Sequence, residues 1–123
     1  MALDEGAHAE GRSTIAKGNA SHSEGYRTLA SGNYSHAEGY YSKAIGSSSH
    51  AEGGAEAHGS YSHAEGTGNA YGTESHAEGN ETRANGNYSH SEGSYSEAAS
   101  ENSHAEGEST LAKAKGAHAE GYN

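Results

Sequence analysis

The chain has 123 residues, a net charge of −10 and nineteen glycines, with no Phe, Trp, Pro, Cys or Val. Its larger aliphatics are Met1, Leu3, Ile15, Leu29, Ile45 and Leu111; burying each yields roughly 1.5–3 kcal/mol against about 1–2 kcal/mol of backbone ordering per residue, which excludes a thick hydrophobic core. The acidic balance leaves no Lys/Arg stripe to displace phosphate counterions, so no nucleic acid partner is expected; there is no 18-residue apolar run for membrane insertion and no cysteine for a disulfide.

In chain order the first recognisable element is the five-residue word Ala7-His8-Ala9-Glu10-Gly11, and the chain writes it nine times with Ser or Ala in the first and third places, at starts 14, 14, 14, 13, 13, 14, 14 and 14 residues apart. Each copy carries a histidine and, two places on, a glutamate: His8 and Glu10, His22 and Glu24, His36 and Glu38, His50 and Glu52, His63 and Glu65, His76 and Glu78, His90 and Glu92, His104 and Glu106, His118 and Glu120. Only His58 lies outside the pattern. Between words runs a looser phrase, small-x-small-x-small, as in Thr14-Ile15-Ala16-Lys17-Gly18 and Thr28-Leu29-Ala30-Ser31-Gly32. Two shortened copies follow, Ala55-Glu56-Ala57-His58-Gly59 and Gly68-Asn69-Ala70-Tyr71-Gly72, before the full length returns at Thr82.

Self-similarity at a fixed step marks a stacked repeat. Both phrases alternate with period two, the signature of strands, and the glycines oppose helix. The period therefore divides into two strands of about five residues and two turns of about two, one circuit of a narrow coil. The expected fold is all-β: a parallel β-roll, or β-solenoid, of 13- to 14-residue turns, about nine in number, forming one domain over 1–123 and a rod on the order of 40 Å long. Small residues (Ser, Ala, Gly, Thr) are expected inside, histidine and glutamate outside on one sheet. The other sheet shows a variable outer face including Ile15, Lys17, Leu29, Lys43, Ile45, Glu56, His58, Arg83, Leu111 and Lys113, which reads as solvent-exposed. The turns hold Tyr26, Tyr34, Tyr40, Tyr41, Tyr61, Tyr88, Tyr95 and Tyr122, expected to pack between turns or to form an aromatic contact surface. The two 13-residue steps lose their residue after the word, near Gly53-Gly54 and Gly66-Thr67. Four sequons, at Asn19, Asn33, Asn80 and Asn87, read as turn chemistry.

The alternation of Ser-x-Ala-x-Gly with Thr/Ser-x-Ala-x-Gly resembles the head repeats of YadA-like trimeric autotransporter adhesins, and similar repeats occur in phage tail-fibre proteins. The likeness covers Ala2 to Gly121. It implies a left-handed parallel β-roll, three chains side by side around a threefold axis, and attachment to a host-surface protein or glycan, hence an extracellular, cell-surface or virion-fibre location. The family's outward aliphatics in the first phrase are replaced here by histidine and glutamate.

Stacked like charges repel unless partnered. The eighteen ladder residues are therefore expected to form the interface of a homotrimer, each histidine meeting a glutamate of the adjacent chain. Such pairing would raise histidine pKa values and lower those of glutamate, giving an optimum of stability between the two. A solvated face is the plain alternative. A metal-binding His/Glu array is another, although identical copies argue against one dedicated site, so no metal or other cofactor is assigned. Nor is an enzyme expected: alternation sends the serine of Ser-His-Glu to the opposite side from the histidine. Ice binding would need outward threonines, whereas Thr14, Thr28, Thr82 and Thr110 are placed inward. No signal peptide follows Met1. The frame leaves Asn123 almost in register with Met1, so head-to-tail stacking of a filament subunit, or a segment cut from a longer array, is the remaining reading.

Overall fold

The computed structural model describes residues 1–122, and among them there is no helix. Nine longer strands carry the words: β1 (His8–Arg12), β3 (His22–Tyr26), β5 (His36–Tyr40), β7 (His50–Gly53), β9 (His63–Gly66), β11 (His76–Asn80), β13 (His90–Ser94), β15 (His104–Glu108) and β17 (His118–Tyr122). Between them lie eight strands of only two residues: β2 (Ile15–Ala16), β4 (Leu29–Ala30), β6 (Lys43–Ala44), β8 (Glu56–Ala57), β10 (Asn69–Ala70), β12 (Arg83–Ala84), β14 (Glu97–Ala98) and β16 (Leu111–Ala112). The odd strands form one nine-stranded parallel sheet and the even strands an eight-stranded one, each strand pairing with its equivalent one turn away. The result is a parallel β-solenoid of about eight full turns closed by a ninth long strand.

The register follows from the repeat. His22 pairs with His36, Ser23 with Ala37, Glu24 with Glu38 and Gly25 with Gly39, and the same alignment links most neighbouring words. The 13-residue turns keep it by dropping a residue after the word, as the spacing predicts: β7 and β9 end at their glycines, one residue short of the other odd strands. Solenoid loops absorb such changes because they lie outside the ladders.

The interior is as thin as the composition requires. The strand alanines from Ala16 to Ala112, such as Ala30, Ala37, Ala44 and Ala84, are fully buried, and so are the serines that open the words. A buried hydroxyl needs a partner. Ser21, Ser35, Ser49, Ser62 and Ser89 each donate to a carbonyl three residues back, at 2.6 Å. Ser23 and Thr28, facing one another across the coil, share a hydrogen bond of 2.7 Å. Thr14, Thr28, Thr82 and Thr110 are all buried, as the alternation requires.

Two expectations are corrected. The second phrase supplies two strand residues, not five, because its chain bends at the closing glycine: Lys17 and Gly18 both donate to Ala30 O, and Ser21 N–H returns to Gly18 O. That gives a two-residue corner after each word and a five-residue corner after each phrase. The glycine of the word does not point inward either. Gly25 and Gly39 are exposed, with φ of 109° and 99°, a backbone that side-chain-bearing residues seldom adopt. The glycine of the second phrase is the buried one, at Gly18, Gly32, Gly46, Gly59 and Gly72. The corners also place non-glycine residues in the left-handed region, among them Tyr34 (φ 59°), Glu74 (φ 54°) and Tyr88 (φ 59°). The register of a head-to-tail junction turns on Asn123, which lies outside the described residues.

Candidate functional site

Residues two apart on a strand share a face, so each word projects its histidine and glutamate from the same side of the odd-stranded sheet. Stacking the words in register turns these pairs into two parallel columns. The structure brings all eighteen predicted ladder residues onto this one face. Imidazole rings from His22 to His118 lie nearly parallel, with centroids 4.7–4.9 Å apart and interplanar angles of 3–7°. Only the first step, His8 to His22, is edge-on, at 71°. Mid-ladder side chains are about one-third exposed, 36% for His36 and 32% for Glu38.

Each histidine of the ladder aims Nε2 at the glutamate of its own strand, at 3.1–3.8 Å. The distances are 3.4 Å for His22–Glu24, 3.8 Å for His36–Glu38, 3.6 Å for His63–Glu65, 3.4 Å for His76–Glu78 and 3.5 Å for both His90–Glu92 and His104–Glu106. His50 lies between two carboxylates, 3.7 Å from Glu52 and 3.5 Å from Glu38 of the preceding turn. These separations exceed the ordinary hydrogen-bond range of about 2.7–3.2 Å. The Nε2 atoms of the seven histidines from His22 to His104 are consequently shielded from solvent without a hydrogen-bond partner. At the end of the ladder His8 does reach Glu10, at 3.1 Å. Off the ladder, His58 meets Glu56 at 2.9 Å.

The face carries nearly all of the chain's net charge. Setting aside the nine ladder glutamates leaves eight acidic residues against seven basic ones. Glycines follow the glutamates, so beside the carboxylates of Glu10, Glu24, Glu38 and Glu52 runs an open groove floored by Gly11, Gly25, Gly39 and Gly53. At His76 the pKa is lowered rather than raised, which corrects the expectation from pairing: burial and the neighbouring His90 and His63 oppose a positive charge more than Glu78 and Glu92 favour it.

Sequence reasoning missed two smaller clusters. Tyr26 stacks on Tyr40 at 5.3 Å, Tyr40 meets Tyr41 edge-on at 4.5 Å, and the Arg27 guanidinium lies 5.6 Å and 5.5 Å from the Tyr26 and Tyr41 rings. These three tyrosines touch one another across turns although Tyr40 and Tyr41 stay exposed, as do Tyr34, Tyr61 and Tyr95. On the even-stranded sheet, Glu56 takes Lys43 at 2.7 Å as well as His58, and the Lys43 ammonium is the main reason its pKa is lowered. His58 also stacks on Tyr71 at 4.8 Å. The signal for both clusters was complementary residue types at a step of 13 or 14: Tyr26 with Tyr40, Arg27 with Tyr41, Lys43 with Glu56 and His58 with Tyr71. Asn33 and Asn87 accept backbone N–H groups from the preceding turn, at 3.1 and 2.9 Å, in keeping with their reading as turn residues. No protein-family model matches the chain, and no curated protein matches it in sequence.

Proposed function

We propose that this chain is a non-enzymatic segment of a homotrimeric surface fibre, a left-handed β-roll that serves as spacer or binding head. In this reading the His/Glu face packs against its equivalents on two sister chains. The observation that carries it is the set of seven imidazole nitrogens, His22 to His104, withdrawn from water yet left without a hydrogen bond by their own chain. Buried polar groups of native proteins are almost always satisfied, and a sister chain offers hydroxyls, carboxylates and bridging water at the strand spacing. The thin alanine and serine interior points the same way, since association adds the burial that one narrow coil lacks.

A structural role is also supported by where the would-be triad residues go. Ser35 Oγ is buried and donates to Gly32 O at 2.6 Å, while His36 projects from the opposite side of the strand. The location would be extracellular, on a cell or a virion, with adhesion to a surface protein or glycan as the associated activity. Sedimentation equilibrium in the presence of a chelator tests the assembly: three chain masses are expected for the wild type and a shift toward one for His63→Ala with His76→Ala. A wild-type chain sedimenting as a monomer across the micromolar range would sink the reading.

A further inference from the structure

We propose that the ladder face binds divalent transition-metal ions of the zinc, nickel and copper type, at sites completed within one chain by residues of two adjacent turns. Neutral imidazole and carboxylate are the ligands these ions prefer. The spacing is the argument. Along the ladder from His22 onward, Nε2 and the same-strand carboxylate stand 3.4–3.8 Å apart. That is long for a shared proton. Two ligand atoms each about 2.0–2.2 Å from one tetrahedral ion lie roughly 3.3–3.6 Å apart, so the pairs are already set close to the bite of a metal. The contrast with His58 is informative: its 2.9 Å contact to Glu56 is an ordinary hydrogen bond, leaving no room for an ion.

A third ligand comes from the next turn. Ligand atoms within 4.8 Å of one another occur in the groups His50-Glu52-His63, His63-Glu65-His76, His76-Glu78-His90, His104-Glu106-His118 and Glu24-His36-Glu38. The parallel rings must tilt to converge on one ion, and their side chains are about one-third exposed to solvent. Water or a neighbouring group supplies the fourth position. The charge is right as well, since the face holds a carboxylate on every turn.

Stoichiometry follows from geometry. His63 and His76 each belong to two groups, so neighbouring sites compete for a shared imidazole; ions on successive turns would also sit only about 4.8 Å apart and repel. Four of the five groups share no residue and are filled together: those centred on Glu38, Glu52, Glu78 and Glu106. The expected load is four ions per chain, a count set by residues of one chain, so this inference does not rest on the trimer.

Calorimetric titration of chelator-treated full-length protein with zinc chloride, and native mass spectrometry of the product, test it. Four zinc ions per chain are expected. With cobalt(II) in place of zinc, the intense visible bands of a tetrahedral nitrogen–oxygen site are expected. His76→Gln with His90→Gln removes two overlapping groups and should bind three. If that variant loses its β circular dichroism, Glu78→Gln keeps the imidazole column and should also bind three. Absence of binding by zinc, nickel and copper, or a folded variant that still takes four ions, overturns the proposal.

Discussion

Gly46 sits in the column of buried glycines that closes each second phrase, and a Cβ there would lie 2.0 Å from Gly59 O and 2.4 Å from Gly59 C. Ordinary contact begins near 3.4 Å, so Gly46→Ala must push two turns apart by more than an ångström. The bonds that stretch are Ile45 N–H and Gly46 N–H to Ala57 O, at 2.8 and 3.2 Å. Weakening these at about 0.5–1.5 kcal/mol each, with about 1–3 kcal/mol of overpacking, gives a destabilisation of roughly 3 kcal/mol. The chain contains its own precedent. Ser100 occupies the same column, and there the backbone changes partner: instead of donating to the next turn's carbonyl as Gly86 N–H does to Ala98 O, Ser100 N–H turns to Ser103 Oγ at 3.2 Å. Gly54→Ala is the matched control, because its Cβ would find Tyr40 O at 3.4 Å and nothing closer. With its φ outside the left-handed region, that variant should be neutral or stabilised by about 0.4–1 kcal/mol through the unfolded chain. Urea unfolding followed by circular dichroism measures both. Equal midpoints for Gly46→Ala and Gly54→Ala would refute the close approach of the turns.

Glu74 holds φ 54° at a corner, and Glu74→Gly should raise stability by about 0.5–1 kcal/mol, as the strain of a left-handed side-chain-bearing residue exceeds the added freedom of glycine; the urea midpoint reports it. The lowered pKa of His76 means that, below the ordinary imidazole value of about 6.5, the unfolded chain takes up a proton that the folded chain resists. The melting temperature in chelator should therefore be level above neutrality and fall as pH drops through 6.5 toward the folded value, and His76→Gln should shallow that fall. Glu56 contributes in a more acidic window: its pKa is lowered chiefly by Lys43, so its stabilisation is full above the ordinary carboxylate value and is lost as pH falls through the folded one. Lys43→Met should bring the Glu56 pKa measured by NMR titration back up. Ser35→Ala removes a buried hydroxyl that donates to Gly32 O and should cost about 0.5–1.5 kcal/mol, seen as a lower urea midpoint.

The coil was legible because its cause is repetition itself. A fixed step and period-two alternation determine which residues stack, so the pairing of His22 with His36 and the buried ranks of Ser35, Ala37 and Thr28 could be read directly. Residues that the pattern treats as equivalent were harder. Gly25 and Gly32 look alike in sequence, yet one takes an exposed bend at φ 109° and the other is buried with Gly46 O only 2.0 Å from where its Cβ would be. The length of the even strands was hidden for the same reason, since the bend at Gly18 depends on Ala30 O receiving two donors. On the ladder, residue types and face were legible, but the carboxylate partner was not. Alternation puts His36 and Glu38 side by side, and only side-chain geometry shows that they reach one another without closing a hydrogen bond.

The retention of one glutamate per word is the fact that both functional readings must explain. In register, Glu24 faces Glu38 and Glu78 faces Glu92 at the strand spacing. Each neighbouring carboxylate pair then repels by about 1 kcal/mol in water, reduced by salt but raised where the face is half withdrawn from solvent. Along nine words that penalty accumulates to several kcal/mol, comparable to the entire stability of an ordinary domain. The even-stranded sheet avoids such a column by mixing signs, placing Lys43 beside Glu56 and Arg83 beside Glu97. At His76 burial and the neighbouring His63 and His90 oppose the positive charge that would offset the carboxylates. A column that keeps its repulsion while the opposite sheet relieves it is what both proposals address: in one, divalent cations would supply the missing compensation, in the other a sister surface with matching donors.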